Sequence, residues 1–565
     1  MNYKKSIIYS ALSLGLTISG VAQGPQYSLN GLGRSIISNN SLSGASVKDA
    51  DATQKANISG YNMFDLQTNL DVDSTFNAVA VFRTRSPFGT SFGSKTDFEF
   101  RQFSMGGSVN GIKYQLGDIR VELTPYTVFN ADVAGTGFES DLFSERREIL
   151  EYENFNDGNT WLLQGMSGQY AWNLGEEGGL GLYAFTTRTA STNELSTPDR
   201  LLSGGRLEFA IDEHMTFGVN EVSLYDIAIE TAEFDYNNNV VTGDFAYNRE
   251  TEGALVGFKA EFGGSSFSYT DNVNDETKSY SDMTMDVDFD YTLKSSGLKL
   301  GFDFRRVGAT FASPTAQSRR YVSSANPMLF SEVKGSVRSQ QYFDQFTSEE
   351  VYNNSISTSL MAFNQYYNNL NPYGDATPNR MVFGLDAETD TSITAFEAGL
   401  AVNYGMEIIG EGGNDLRGFM VVKGGGLIHL GNLLGTKRLI DANVGARYEN
   451  TSRGGSADVA LSSLLIDFGI SGEVAKKVDL LGGVKYFQAS GNEFIASRDG
   501  FNLVDGFTGY DIDVNELIFS VGGRIRFSEK QAFSLNYNMA SFTDNNIDNS
   551  QLNIGQLFFN FTGKF

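Results

Sequence analysis

The residues in this chain able to do chemistry are carboxylates, ammonium groups and guanidinium groups set at every second position. Asp286, Asp288 and Asp290 alternate with Met285, Val287, Phe289 and Tyr291. After a Ser-Ser-Gly turn at 295–297, Lys299, Asp303 and Arg305 alternate with Leu298, Leu300, Phe302 and Phe304. Lys259, Arg447, Lys485, Arg524 and Arg526 stand in runs of the same kind, and Arg83 and Arg85 with Asp97, Glu99 and Arg101 make a second charged ladder. Successive side chains of a strand point to opposite faces, so this spacing gives one charged and one apolar face, where a helix would scatter both. Charges of both signs along one face can orient polar solutes in a passage. They can equally pair with one another and stiffen a filled interior.

Other candidates lie between these runs. The segment 311–379 carries Arg319, Arg320, Tyr321, Tyr366, Tyr367 and Tyr373. Guanidinium groups bind carboxylate or phosphate and aromatic rings stack on flat solutes, so this segment is a candidate constriction, with a lid packed on its own aromatics as the alternative. Oxygen-rich stretches at 544–549 and 156–159 lack the spacing of a calcium loop, and turn chemistry accounts for them. No metal site and no cofactor is expected. Catalysis has little to draw on. There are two His, His214 and His429, no Cys, and no glycine-rich phosphate loop between a strand and a helix. The reading is that this is not an enzyme.

The elements that must position these residues are long strands. The alternating runs reach 11 to 14 residues, longer than strands of soluble sheets and long enough to cross a bilayer at a tilt. Residues 1–22 read as a secretory signal peptide: Lys4 and Lys5 precede an apolar stretch that ends in small residues before Gln23. Mean hydropathy is −0.23, which is uninformative for barrels because their spanning strands alternate in polarity. There are 44 Phe, 26 Tyr and 62 Gly against 8 Pro, a balance suited to paired strands and membrane interfaces. The net charge of −26 argues against a nucleic-acid partner, which needs a basic surface. At the C-terminus, Leu557, Phe559, Phe561 and Phe565 share one face and the last residue is aromatic. That ending is similar to the final strand of bacterial outer-membrane proteins, which implies that Phe559, Phe561 and Phe565 form an assembly signal read by the barrel-assembly machinery.

Together these features predict an all-β fold, a transmembrane antiparallel up-and-down barrel of about 18 strands (16–20) over 57–565, in the outer membrane among its lipid and lipopolysaccharide. Residues 23–56 are expected to be a lead-in or a short inward hatch, and 311–379 a single external loop. Counting strands back from Phe565 puts the turns at 528–531, 471–477 and 431–437 at the periplasmic end. It puts 543–550, 490–513, 450–456 and 406–414 outside, provided the stretch from Arg380 to Asp386 is itself a strand. One strand too many arises around 239–271. No globular plug precedes the strands, so a plugged 22-stranded transporter is disfavoured.

Several stretches resemble a porin-like outer-membrane family of Bacteroidota: Phe-Glu-Phe-Arg-Gln at 98–102, Tyr-Gln-Leu-Gly-Asp-Ile at 114–119, Leu-Thr-Pro-Tyr-Thr-Val-Phe-Asn at 123–130, and the segments at 313–320 and 372–380. The resemblance implies location and fold, and no activity. The leading expectation is a passive or weakly selective channel for small polar solutes, gated by 311–379. The alternatives are a structural or secretion-complex barrel subunit and a channel that exports polysaccharide. The mixed signs of the charged faces count against the last.

Overall fold

The computed structural model describes residues 25–45, 58–88, 96–129, 136–154, 162–175, 178–193, 195–316, 369–371, 374–389, 396–411, 414–455, 457–498 and 504–565. Its strands are β1 (Gln26–Ser43), β2 (Ile58–Asp73), β3 (Phe76–Pro87), β4 (Asp97–Val109), β5 (Ile112–Arg120), β6 (Leu162–Leu174), β7 (Gly178–Ala190), β8 (Asp199–Ala210), β9 (Met215–Ile227), β10 (Phe234–Glu250) and β11 (Ala254–Asp271). They continue as β12 (Glu276–Leu293), β13 (Leu298–Val307), β14 (Arg380–Thr389), β15 (Phe396–Met406), β16 (Gly418–His429), β17 (Ile440–Arg453), β18 (Val459–Ala475), β19 (Val478–Arg498), β20 (Val504–Ser528), β21 (Gln531–Asp544) and β22 (Leu552–Lys564). Helix α1 (Asp141–Asn154) lies between β5 and β6.

Each strand pairs antiparallel with the next, and β1 pairs with β22, so 22 strands form one closed up-and-down barrel. At the seam, Leu32 faces Lys564 and Ser43 faces Asn553. Gly31 and the terminal Phe565 exchange backbone hydrogen bonds of 3.1 and 3.0 Å. Closure leaves no edge strand, which a lipid environment requires because it offers backbone groups no other partner.

Alternation sets the two faces. Phe302, Leu385, Leu400, Tyr404, Val444, Phe468, Phe519 and Tyr537 point outward and are exposed, Leu385 to 63 %. An apolar outer face on a closed barrel is the reverse of a soluble sheet and matches the hydrocarbon of a membrane. No helix among the described residues is long and apolar enough to cross one. The protein is therefore an outer-membrane β-barrel. Tight turns at 74–75, 110–111, 476–477 and 529–530 share one end with Gln26 and Phe565, and the long connections after β5 and β13 leave from the other. The tight-turn end is the periplasmic one by the usual asymmetry of such barrels.

Three expectations are corrected. The strand number is 22, not about 18. Residues 26–43 are neither lead-in nor hatch: they form β1, which closes the barrel. Much of 490–513 is strand, because β19 and β20 run on as a paired ribbon to Arg498 and Val504. The surplus strand near 239–271 resolves into the β10–β11 hairpin. The physical reason for the undercount lies in the interior. On β1, β7, β8 and β9 the inward positions include Leu32, Ile36, Phe185, Leu202, Val222 and Leu224, all buried. Apolar residues then occupy both faces, and period-2 polarity fades.

Candidate functional site

The described parts of the connection between β5 and β6, residues 121–129 and 136–154, lie inside the barrel against its wall. The connection begins with a tight turn in which Leu123 donates its N–H to the carbonyl of Val128 and Thr127 to that of Thr124. The turn presents Val121 and Val128 to Ile119, Leu163, Phe185, Leu202, Val222 and Leu224, which form one apolar cluster with them. Its Tyr126 is fully buried against Val240, Val307, Phe311, Ala316 and Ala376. Burial pushes the Tyr126 hydroxyl well above its ordinary value. The Thr124 hydroxyl donates to Glu261 of β11 at 2.6 Å.

Beyond the turn, the chain at 136–143 lies in a groove cut by glycines. Gly399, Gly425 and Gly445 are direct cross-strand partners on β15, β16 and β17, and Gly469 and Gly483 are partners on β18 and β19. A Cβ built on Gly445 would stand 2.7 Å from Cβ of Thr136, and one on Gly469 would stand 2.2 Å from Cβ of Ser140. The missing side chains are thus the space the segment fills. Thr136 donates to Asp467 at 2.9 Å, and Asn443 donates to the carbonyl of Phe138 at 3.2 Å. Ser140 then caps α1 by accepting the N–H of Phe143 on its hydroxyl and that of Ser144 on its carbonyl.

Helix α1 is held by polar contacts to the wall. Lys485 bridges Glu139 at 2.8 Å and Asp467 at 3.1 Å. Arg524 pairs with Asp141 at 3.2 Å and with Asp479 at 3.0 Å. Glu145 accepts from Ser534 and Asn560, both at 2.8 Å. The Arg146 guanidinium lies 3.7 Å from the centre of the Phe558 ring, and Ile149 packs with Ile36 and Phe558. The last fixed point is Tyr152. Its hydroxyl donates to Asp65 of β2 at 2.7 Å. Asp65, 2 % exposed, also accepts two bonds of 2.7 Å from Arg83 and one of 3.0 Å from Arg101. Arg34, Arg83 and Arg101 surround the Tyr152 ring, Arg101 at 4.3 Å from its centre, and Arg101 also donates to the Tyr152 carbonyl. Burial first, then the adjacent Asp65 carboxylate, push the Tyr152 hydroxyl up to about 12, so it stays a donor. The described parts of the segment thus contact the inner wall at β11, at the glycines of β15–β19, at β20–β22, and at β2 and β4.

The charged residues singled out above divide into two groups. Asp286, Asp288, Asp290, Lys299, Asp303 and Arg305 form one patch on β12 and β13. There Asp286 faces Arg305, Asp288 faces Asp303, and Lys259 of β11 faces Asp288. Lys299 lies 3.8 Å from Asp290 and 4.0 Å from Glu388, and Arg305 pairs with Asp303 at 3.6 Å and with Asp375. Arg447, Lys485, Arg524 and Arg526 stand farther round the wall, on β17, β19 and β20. Arg447 donates to Glu449 at 2.6 Å and Arg526 to Asp479 at 2.8 Å, while Lys485 and Arg524 anchor α1. Arg83 and Arg101 of the second ladder converge on Tyr152, which sequence spacing did not connect to them.

Arg319, Arg320, Tyr321, Tyr366, Tyr367 and Tyr373 lie outside the described residues, as do 1–22 and 156–159. The described roots of the 308–379 connection pack on the inward segment: Ser313 and Thr315 donate to the carbonyls of Tyr126 and Thr127 at 2.8 and 2.7 Å. Phe559, Phe561 and Phe565 are on the outer face at the seam, where Phe565 stacks on Phe64 with ring centres 5.5 Å apart. His214 accompanies the β8–β9 turn beside the carbonyl of Asn248 at 3.0 Å, and His429 meets Asp441 at 2.8 Å on β17. Asp544 accepts the N–H of Asn546 in a turn. The inward course of 121–129 and 136–154 was missed because a turn and a helix between strands carry no period-2 alternation. Its readable signal was glycine at lumen-facing positions of five successive strands.

No known protein family matches the chain, and no curated protein matches it in sequence. Solved structures do. OpdK of Pseudomonas aeruginosa with vanillate superposes with a TM-score of 0.36 at 8 % identity, covering 96 % of this chain and 99 % of that one. OccD3 (OpdP) of the same organism gives 0.36 at 10 %, covering 97 % and 93 %, and OccAB2 of Acinetobacter baumannii gives 0.34 at 8 %, covering 96 % and 98 %. Similarity at this level carries no solute, partner or residue role across, and the fold rests on this chain's own strand pairing.

Proposed function

We propose that the protein is an outer-membrane channel for small polar solutes, narrowed by the inward-folded residues 121–129 and 136–154 of the β5–β6 connection. The carrying observation is how that segment is held. Its root is packed in apolar clusters, and the run from Thr136 to Tyr152 is fastened to the wall by hydrogen bonds and ion pairs beside the buried Phe138, Leu142, Phe143 and Ile149. These contacts hold the segment against the inner wall, and the passage beside it is lined by the charged positions of β12 and β13. Solutes pass alongside the segment, and the charged wall of β12 and β13 sets which signs are tolerated. This moves the gate from 311–379 to the β5–β6 connection, with the roots of 308–379 as its support.

A structural barrel with a permanently filled interior is the second reading, favoured by the number of ion pairs on α1. Conductance of the purified protein in a planar bilayer separates the two. The channel reading expects steady conductance from the intact protein and a several-fold larger one after residues 131–157 are replaced by a short glycine–serine linker. Folded, inserted protein that stays closed in both forms sinks the channel and leaves the structural barrel.

A further inference from the structure

Against the wall of β3 to β7, from the periplasmic turn at Ser74 to Arg120 at the outer end of β5, lies a cavity of about 670 Å³. Its lining differs from the rest of the interior. Lys113 and Arg120 supply its charge, and among the described residues no carboxylate lines it. On β11 to β13, by contrast, Glu261, Asp286, Asp288 and Asp303 face inward. Gln102, Gln115 and Gln169 place three side-chain amides around the same space, with serine hydroxyls beside them. Amides and hydroxyls both donate and accept, which suits a solute carrying many hydroxyl groups, and a fixed ammonium adds a charge-assisted bond to an anion. The cavity is also placed to affect passage. Tyr183 lines it and packs on the apolar cluster that buries Val121 and Val128, so the cavity abuts the root of the constriction.

We infer that this cavity is a binding site for small anionic polyols, sugars bearing a carboxylate or a phosphate, beside the root of the constriction. The inference names the solute class of the channel proposed above and rests on that reading. Lys113 holds the anion, the glutamine amides hold the hydroxyls, and the bound solute bridges β4, β5 and β6 beside the segment.

The test is equilibrium binding of glucuronate, glucose 6-phosphate and glucose to the full-length protein in detergent, by calorimetry, with folding verified by heat-modifiable gel migration. At least one anionic sugar should bind about tenfold or more tighter than glucose, and which one binds tells carboxylate from phosphate. Lys113→Gln should remove that preference, and Gln169→Leu should weaken all three sugars. Should Lys113→Gln misfold, raising salt on the unmodified protein serves instead, since the preference for the anion should fall steeply with ionic strength. Equal affinity for all three sugars, no binding at all, or a preference untouched by both Lys113→Gln and salt overturns the site. Liposome swelling in the same solutes reports the channel separately. Flux without binding overturns the site and upholds the channel, and binding without flux upholds the site and overturns the channel.

Discussion

Tyr152 shows how one side chain can decide the state of the lumen. It gathers Asp65, Arg83 and Arg101 at the C-terminal end of α1. Buried ion pairs are costly to break one-sidedly, because the remaining charge has no partner. Asp65→Asn should therefore cost about 3–5 kcal/mol in urea unfolding of the reconstituted barrel, whereas Tyr152→Phe should leave the Asp65–Arg83 pair and most of that stability in place. The hydroxyl also carries a pH signature. Its folded value is raised from 10.0 to about 12, so the neutral form is the one the fold favours. The stabilisation is complete below about pH 10 and is lost as pH rises toward 12. Protease access to α1 should rise over that window in the unmodified protein, and the rise should be absent in Tyr152→Phe. An identical alkaline response in both would show that Tyr152 does not hold the segment.

Strands and helix meet at the glycine groove, where the fit is steric. Gly469 and Gly483 leave room for Ser140 and Phe143, and a Cβ at Gly469 would overlap Ser140 with no flexible end to yield. Gly469→Val should expel 136–143 while β18 stays paired, since valine suits a strand. A cysteine placed at position 144 should then react with a water-soluble maleimide at least about tenfold faster, with open-channel conductance rising in parallel, as is expected of overpacking at a close approach. Unchanged labelling would mean that the groove does not hold the segment. The same element explains what alternation hid: strands beneath an apolar plug root carry apolar residues on both faces, and strands beneath a backbone carry glycine.

For the whole molecule, closure is the condition for stability, and it rests on one seam. A Cβ on Gly31 would stand 2.3 Å from the Phe565 ring and 2.4 Å from the Asp65 carbonyl. Gly31→Val therefore strikes the C-terminal aromatic and the β2 backbone together. It should lower the yield of heat-modifiable, membrane-inserted barrel several-fold, with deletion of Phe565 doing the same. Normal insertion of both variants would show that the seam tolerates rearrangement and that Phe565 is dispensable for assembly.

By itself the sequence determined the class of fold. Period-2 alternation on β12, β13, β17, β20 and β21 depends on two solvents, lipid outside and a polar interior, and that contrast is written residue by residue. The Arg380–Thr389 strand and the turns at 476–477 and 529–530 were legible for the same reason. Only the tertiary structure decided the number of strands and which connection packs inside the barrel. Wherever the interior is filled by protein, the inward face answers to packing against 121–129 and 136–154, a partner hundreds of residues away, so β1 reads as a lead-in and Gly469 as a weak strand residue. The charges at Lys485 and Arg524 could be placed in the lumen from spacing alone, but their partners Glu139 and Asp141 belong to a connection whose path is set by closure of the barrel.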